Sequence, residues 1–131
     1  MIVDAETGDI LALADWAKPD VRVVGVEPEH AACLSRALAA GHPVPVTLSA
    51  TLADGLAVAQ TGAQAFEVLR RVADRVVTVD EAAIALAVLR LIELEKSVVE
   101  GAGAAPLAAF LAGKLDTLKG LDVVLVLAGG N

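Results

Sequence analysis

Short runs of apolar, largely β-branched residues alternate with stretches that have helical features, and this alternation most constrains the fold. The runs are VRVVGVE at residues 21–27, RVVTV at residues 75–79 and VVLVL at residues 123–127. Strands that are apolar along nearly their whole length are typical of a parallel sheet covered by helices on both faces. The sequence therefore predicts an α/β domain with a parallel sheet. A sheet of three strands would have open edges, which indicates that the chain is part of a larger body.

Turn and cap residues predict where the helices begin and end. Pro28 suits the first turn of a helix from Glu29 to about Ala40, which Gly41 would end. Residues 42–62 contain two prolines and two glycines and predict a long, partly buried loop, a kind of segment that is often functional. Asp80 is a good N-cap for a long helix over residues 81–97.

Three further helices are expected from weaker signals. One covers residues 63–73, and another is a short helix that Asp9 would cap and Pro19 would follow. Gly101 and Gly103 should open the last helix, with Pro106 in its first turn. The run at residues 123–127 is then the last strand.

Composition and charge exclude several classes of function. The formal net charge is −7 and aromatic residues make up only 2% of the chain, so neither a basic patch nor a stacking platform is available for nucleic acid. The apolar stretch at residues 101–113 is shorter than the roughly 20 residues that a membrane span needs. The N-terminus has no basic region and does not resemble a signal peptide. Cys33 is the only cysteine, which fits a reducing compartment, and we expect a soluble, cytoplasmic protein.

Familiar catalytic and binding motifs are weak or absent in the sequence. The Gly101-x-Gly103 pair follows a predicted helix rather than a strand, and Pro106 stands where a dinucleotide-binding motif needs its third glycine. No Gly-x-Ser-x-Gly motif occurs, and one cysteine with two histidines gives no zinc spacing. The two histidines, His30 and His42, are predicted to be solvated surface residues.

A series of motifs, taken together, is much more specific. In order, the chain contains VRVVGVEPE, TLADGLAV, RVVTVDEAAI, SVVEGAGAA and VVLVLAGGN. The series resembles the pyridoxal-phosphate-dependent threonine/serine dehydratase and serine racemase family of fold type II, the tryptophan synthase beta-like class. Residues 19–131 resemble the C-terminal portion of that catalytic domain, and residues 1–18 are divergent. The resemblance implies a partial three-layer domain with a parallel sheet.

The resemblance also implies residues that bind the cofactor. Backbone at Ala53, Asp54 and Gly55 would line one face of the pyridine ring, and Glu100 would lie near the ring. Ala128 and Gly129 would face the cofactor at the end of the last strand. In the family a Ser or Cys at the first of these two positions meets the pyridine nitrogen, whereas the alanine side chain here cannot form a hydrogen bond.

A metal site is implied at the end of the first strand. In several family members a carboxylate at the position of Glu27 and the carbonyl at the position of Ala31 bind a stabilising divalent cation, Mg or Ca. A further acid follows two residues later, where this sequence has Cys33. A soft thiolate is a poor substitute in a site that is meant for hard, oxygen-preferring cations.

The implied reaction is removal of ammonia from L-threonine or L-serine, a small amino acid substrate, to give a 2-oxo acid; serine racemisation stays open. The family's lysine, which holds the cofactor, lies in a Ser-x-Lys-x-Arg context. No lysine of this chain has that context, and the family's phosphate-binding run of glycines is missing as well.

We therefore expect the chain to be inactive alone and to need a missing N-terminal half or a homo-oligomer. A non-catalytic interaction module and an unrelated small α/β ligand-binding domain remain the alternatives.

Overall fold

The computed structural model describes residues 20–128, and a parallel pair of strands lies at its centre. Strand β1 (Val24–Pro28) pairs with β2 (Arg75–Val79), so that Val24 lies opposite Arg75 and Pro28 opposite Val79. The predicted strand at residues 75–79 is confirmed. The other predicted strand begins at Val24 instead of Val21, because the backbone of Val23 bonds with Asp74: its N–H donates to the carboxylate at 2.6 Å and its carbonyl accepts the Asp74 N–H at 2.9 Å.

Two helices connect the strands and two follow them. Helices α1 (Cys33–Ala40) and α2 (Ala63–Val72) lie between β1 and β2 in the chain; α3 (Glu81–Arg90) and α4 (Gly101–Leu111) follow β2. A 3-10 turn at Glu29–Ala31 precedes α1, which ends at Gly41 with φ 78°, as predicted. No helix in this part of the chain is both long enough and apolar enough to cross a membrane.

The predicted third strand, at residues 123–127, is wrong for the part of the chain that the structure describes. Residues 122–128 carry no strand and form no backbone hydrogen bond with another described residue. Leu125 still packs against the core. A β-branched run becomes a strand only when a neighbouring backbone completes its ladder, and residues 20–121 supply none.

Two helix predictions are also corrected. Pro106 is not in the first turn of α4 but lies inside the helix, which begins five residues earlier because Gly101 and Gly103 are themselves helical. The helix after Asp80 ends at Arg90 rather than near residue 97; a π-helical turn, Leu91–Glu95, continues it until Lys96 adopts φ 55°. The predicted helix after Asp9 and the predicted boundary between residues 18 and 19 lie outside the described residues.

Helices pack on both faces of the sheet. On one face, Ile84, Ala87 and Leu91 meet an alanine-rich side of α4, together with Val24 and Val26 of β1 and Val77 and Val79 of β2. Val23 joins a second cluster with Ala65 and Leu69 of α2 and Leu34 of α1. Because alternate strand residues point to opposite faces, the two clusters lie on opposite sides of the sheet. This is the predicted partial three-layer α/β domain.

The N-cap of α3 gives a direct test of this local structure. The carboxylate of Asp80 accepts the N–H of Ala83 at 2.7 Å. Asp80→Ala should lower the free energy of unfolding by about 1 kcal/mol, because a helix N–H loses its partner. Asp80→Asn, which keeps a capping oxygen, should stay within about 0.5 kcal/mol of the unmutated chain. Urea unfolding followed by circular dichroism measures both, and equal losses in the two variants would contradict a capping role.

Candidate functional site

Residues predicted to bind the cofactor come together at the beginning of α4. Ala53 is completely buried there, and Gly55 lies against the first turn of the helix. A Cβ atom placed on Gly55 would lie 3.1 Å from the Cβ of Ala102 and 3.8 Å from Oε1 of Glu100. Thus the loop at residues 53–55 and Glu100, distant in sequence, form one site.

The glycines of α4 allow backbone to approach the helix closely. A Cβ atom on Gly101 would overlap the carbonyl of Leu52, and one on Gly103 would overlap the carbonyl of Ala128. Any side chain at these two positions would therefore displace the loop or the end of the described chain. The pair does not begin a dinucleotide-binding motif; each glycine allows one backbone segment to contact the helix.

Local hydrogen bonds fix the shape of the loop at residues 53–55. Asp54–Leu56 form a 3-10 turn, in which the N–H of Leu56 donates to the carbonyl of Ala53 at 2.8 Å. The N–H of Ala53 donates to the hydroxyl of Thr51 at 3.1 Å, and the N–H of Gly55 to the carboxylate of Asp54 at 2.9 Å. A loop with this many internal bonds presents a defined backbone surface.

Glu100 and Ala128 give the site one charged and one apolar member. Glu100 precedes α4 at its N-cap position, is exposed, and makes no side-chain cap bond. Its carboxylate therefore remains available to a ligand. The Ala128 side chain can form no hydrogen bond, and Gly129, its predicted companion, lies outside the described residues.

Two side chains that the sequence did not assign to the site hold the loop in place. Glu81, the first residue of α3, accepts the N–H of Leu52 at 2.7 Å. Nδ1 of His30 lies 2.5 Å from the carbonyl of Ala50 and 3.6 Å from Oε1 of Glu81. His30 is exposed as predicted, yet it also contacts this loop, whereas His42 is exposed and contacts only Pro43. No sequence pattern predicts these pairs, because the partners are 20 to 51 residues apart.

The predicted metal ligands form a helix cap. The two carboxylate oxygens of Glu27, which is 7% exposed, accept the N–H groups of Leu34 at 3.0 Å and Ser35 at 2.8 Å. Burial raises the pKa of the Cys33 thiol, whose sulfur accepts the Thr61 hydroxyl at 3.4 Å. A neutral thiol is not a metal ligand, and residues 20–128 contain no group of three His, Cys, Asp or Glu side chains able to hold a metal. These donors, with the carbonyl of the buried Ala31, do not fit a Mg or Ca ion.

The described lysines lie on the surface. Lys96, Lys114 and Lys119 are exposed. The first donates to the carbonyl of Glu93 at 2.6 Å, and the last pairs with Asp116 at 2.8 Å. This confirms that they are solvated; Lys18 lies outside the described residues.

Gly101 gives a test of the close packing at the site. Gly101→Ala should lower the free energy of unfolding by about 1–3 kcal/mol, because the new methyl group would overlap the backbone of Leu52. Gly62→Ala is the matched control, because that glycine has φ −61° and no atom near its added Cβ. This substitution should lower the free energy of unfolding by less than about 1 kcal/mol. Equal stabilities of the two variants, measured by urea unfolding, would show that the backbone does not approach α4 so closely.

The relatives of this chain are amino acid-converting enzymes. An L-threonine ammonia-lyase of Geobacter sulfurreducens is 46% identical over 113 residues, which are 86% of this chain and 28% of that protein. L-threonine dehydratase catabolic TdcB of Escherichia coli is 36% identical over 114 residues, 86% of this chain and 35% of that protein. The chain thus spans about a third of the length of these relatives.

Solved structures agree in fold. A T.th. threonine deaminase superposes with a TM-score of 0.87 at 33% identity, covering 99% of this chain and 44% of that one. Maize serine racemase gives a TM-score of 0.87 at 30% identity, covering 95% of this chain and 39% of that one. The family model described as pyridoxal-phosphate dependent enzyme matches residues 7–129. The chain therefore belongs to the family of pyridoxal-phosphate dependent enzymes, in its fold type II class.

Proposed function

We propose that this chain forms one wall of the pyridoxal phosphate pocket in an enzyme that converts L-threonine or L-serine to a 2-oxo acid and ammonia. The observation that carries the proposal is the convergence of residues 53–55, Glu100 and Ala128 on the glycine-rich first turn of α4. The names of the relatives, L-threonine ammonia-lyase and L-threonine dehydratase, support the choice of reaction.

The residues present fit the cofactor, because the loop at residues 53–55 presents hydrogen-bonded backbone beside the exposed carboxylate of Glu100. When bound, pyridoxal phosphate acts as an electron sink for the carbanion that forms when the α-proton leaves. Backbone at residues 53–55 packs against one face of the ring and keeps water from it. Glu100 places a carboxylate at the edge of this surface. The Ala128 side chain would offer the ring nitrogen neither a donor nor an acceptor, and would leave that nitrogen to water.

Other parts of the intact enzyme supply the covalent anchor and the phosphate site in this proposal. The three described lysines are exposed, and the sequence has no Ser-x-Lys-x-Arg motif. Gly129, which follows Ala128 in the sequence, is proposed to face the cofactor as well. A single half-buried cysteine suits a reducing compartment, and we propose a cytoplasmic location.

A pyridoxal phosphate titration of the purified chain tests whether the lysine that holds the cofactor lies in another part of the enzyme. Absorbance of the cofactor, borohydride trapping and peptide mapping should show no saturable adduct on a single lysine, because the anchor lies elsewhere. Labelling that is scattered over the exposed lysines agrees with this. One specific, saturable adduct would overturn the view that this chain supplies only a wall.

Complementation then tests the activity itself. The chain is co-expressed with the N-terminal part of the Geobacter sulfurreducens relative that precedes the matched region, and 2-oxo acid formation from L-threonine and L-serine is measured. We expect activity from the pair and none from either part alone. A folded complex that binds pyridoxal phosphate but releases no 2-oxo acid would contradict deamination.

Serine racemisation is the second candidate reaction, supported by the likeness to maize serine racemase. The same complemented pair distinguishes the two, because racemisation gives D-serine without ammonia.

Apolar side chains such as Leu89, Phe110 and Leu111 are 48%, 53% and 44% exposed. We propose that another part of the enzyme or a second copy of the chain covers them, since exposed apolar clusters mark association surfaces.

The response to divalent cations tests the metal ligands implied at Glu27 and Ala31. We expect millimolar calcium, magnesium or EDTA to leave the melting temperature unchanged within about 1 °C, because the donors present do not fit the ion. An ion that did bind, at 100 times its Kd, would stabilise the chain by about 2.7 kcal/mol. Cys33→Asp, which adds an oxygen donor, should acquire a calcium-dependent rise. A calcium-dependent rise in the melting temperature of the unmutated chain would show that it does bind the cation.

A further inference from the structure

Glu81 makes a contact that its position on α3 does not require. An acidic residue in the first turn of a helix is favourable wherever its side chain points, and Asp80 already caps this helix through the N–H of Ala83. The Glu81 side chain instead reaches back to a loop 29 residues earlier and accepts the N–H of Leu52 at 2.7 Å. Hydrogen bonds to a carboxylate are shorter and stronger than those between neutral groups. The contact is therefore directed at the loop rather than at the helix.

His30 closes the same cluster from the end of β1. Its Nδ1 lies 2.5 Å from the carbonyl of Ala50, and because a carbonyl only accepts, the hydrogen is assigned to Nδ1. The other oxygen of Glu81, Oε1, is buried and has no hydrogen-bond partner among the described residues. The His30 ring is 3.6 Å away from it. Two side chains from two elements thus hold two successive parts of one loop.

The opposite side of the loop is held by α4. The carbonyl of Leu52 lies where a Cβ atom on Gly101 would be, so this residue is bound through its N–H by Glu81 and confined at its carbonyl by the helix. Ala53, the next residue, is completely buried. Removing Glu81 would take away the bond to the N–H of Leu52, while the contact of its carbonyl with α4 stays.

We infer that Glu81 is a positioning residue: by accepting the N–H of Leu52 it holds the backbone at residues 53–55 in the place where it would face the cofactor ring. The effect of Glu81 on catalysis rests on the proposed function. Its effect on the position of the loop rests only on the contacts described above. Glu81 acts through the loop and does not itself touch the ring.

Amide hydrogen exchange in the purified chain tests the structural step without any cofactor. In Glu81→Ala we expect exchange at Leu52 and Ala53 to become at least roughly tenfold faster, because the loop loses its charge-assisted bond. Amides of α2 should keep their rates. In Glu81→Gln the side-chain oxygen can still accept, and most of the protection should return. The control is Glu67→Ala, which removes an exposed carboxylate paired only with Arg70 and should leave the loop unchanged.

A second variant approaches the loop from the other side. His30→Ala should speed exchange at Leu52 less than Glu81→Ala does, since Glu81 still binds that N–H. If Glu81→Ala unfolds the chain, Glu81→Gln and His30→Ala still report on the loop. Unchanged exchange at Leu52 in Glu81→Ala, or an equal increase throughout α3, would overturn the inference.

The complemented enzyme separates the inference from the proposed function. With an active pair, Glu81→Ala should lower kcat/KM at least roughly tenfold, and Glu81→Gln should recover most of it. Full activity in Glu81→Ala would overturn the positioning role and leave the proposed function intact. If the unmutated pair has no activity while Glu81→Ala still frees the loop, the proposed function fails and the structural part of the inference stands.

Discussion

The candidate site depends on the absence of side chains at the beginning of α4. Gly101 and Gly103 let the carbonyls of Leu52 and Ala128 approach the helix where a Cβ atom would overlap them. This contact brings the loop that follows α1 and the end of the described chain to the start of α4, which Glu100 precedes. Backbone rather than side chains therefore contacts the start of the helix at these two positions.

The alanine-rich body of α4 extends the same principle into the core. Ala104, Ala105, Ala108 and Ala109 are completely buried, and they pack against α3 and the sheet. Small side chains allow a helix and its neighbours to approach closely, so the position of the glycine-rich turn is fixed by the helix as a whole. Pro106 lies within this buried stretch. Its missing N–H removes one bond of the helix, and the burial on all sides offsets that loss.

Local signals predicted the elements whose stabilising partners are close in sequence. The cap at Asp80 and the left-handed end of α1 at Gly41 depend on residues a few positions away. The strand at residues 75–79 was also predicted from its local composition, although it pairs with residues 24–28. The strand expected at residues 123–127 depends on a neighbouring backbone, and residues 20–121 provide none, so the same β-branched composition gives an extended segment without a ladder. Leu125 is partly buried against the core, whereas Val124 is 79% exposed.

At the site, the sequence motifs likewise indicated some residues and missed others. The motifs indicated residues 53–55, Glu100 and Ala128, and the structure brings them together. They did not indicate His30 and Glu81, because a contact between a loop and a side chain 29 residues later leaves no periodic trace in a single sequence.

Glu27 illustrates how one residue type can serve two purposes at the same place in a fold. A buried carboxylate needs partners for both oxygens, and either a cation or the free N–H groups at a helix start can provide them. Here α1 supplies the N–H groups of Leu34 and Ser35. The half-buried thiol of Cys33 stands where a second carboxylate would be needed to compete with them. In this chain the carboxylate at the end of β1 therefore caps the helix that follows it.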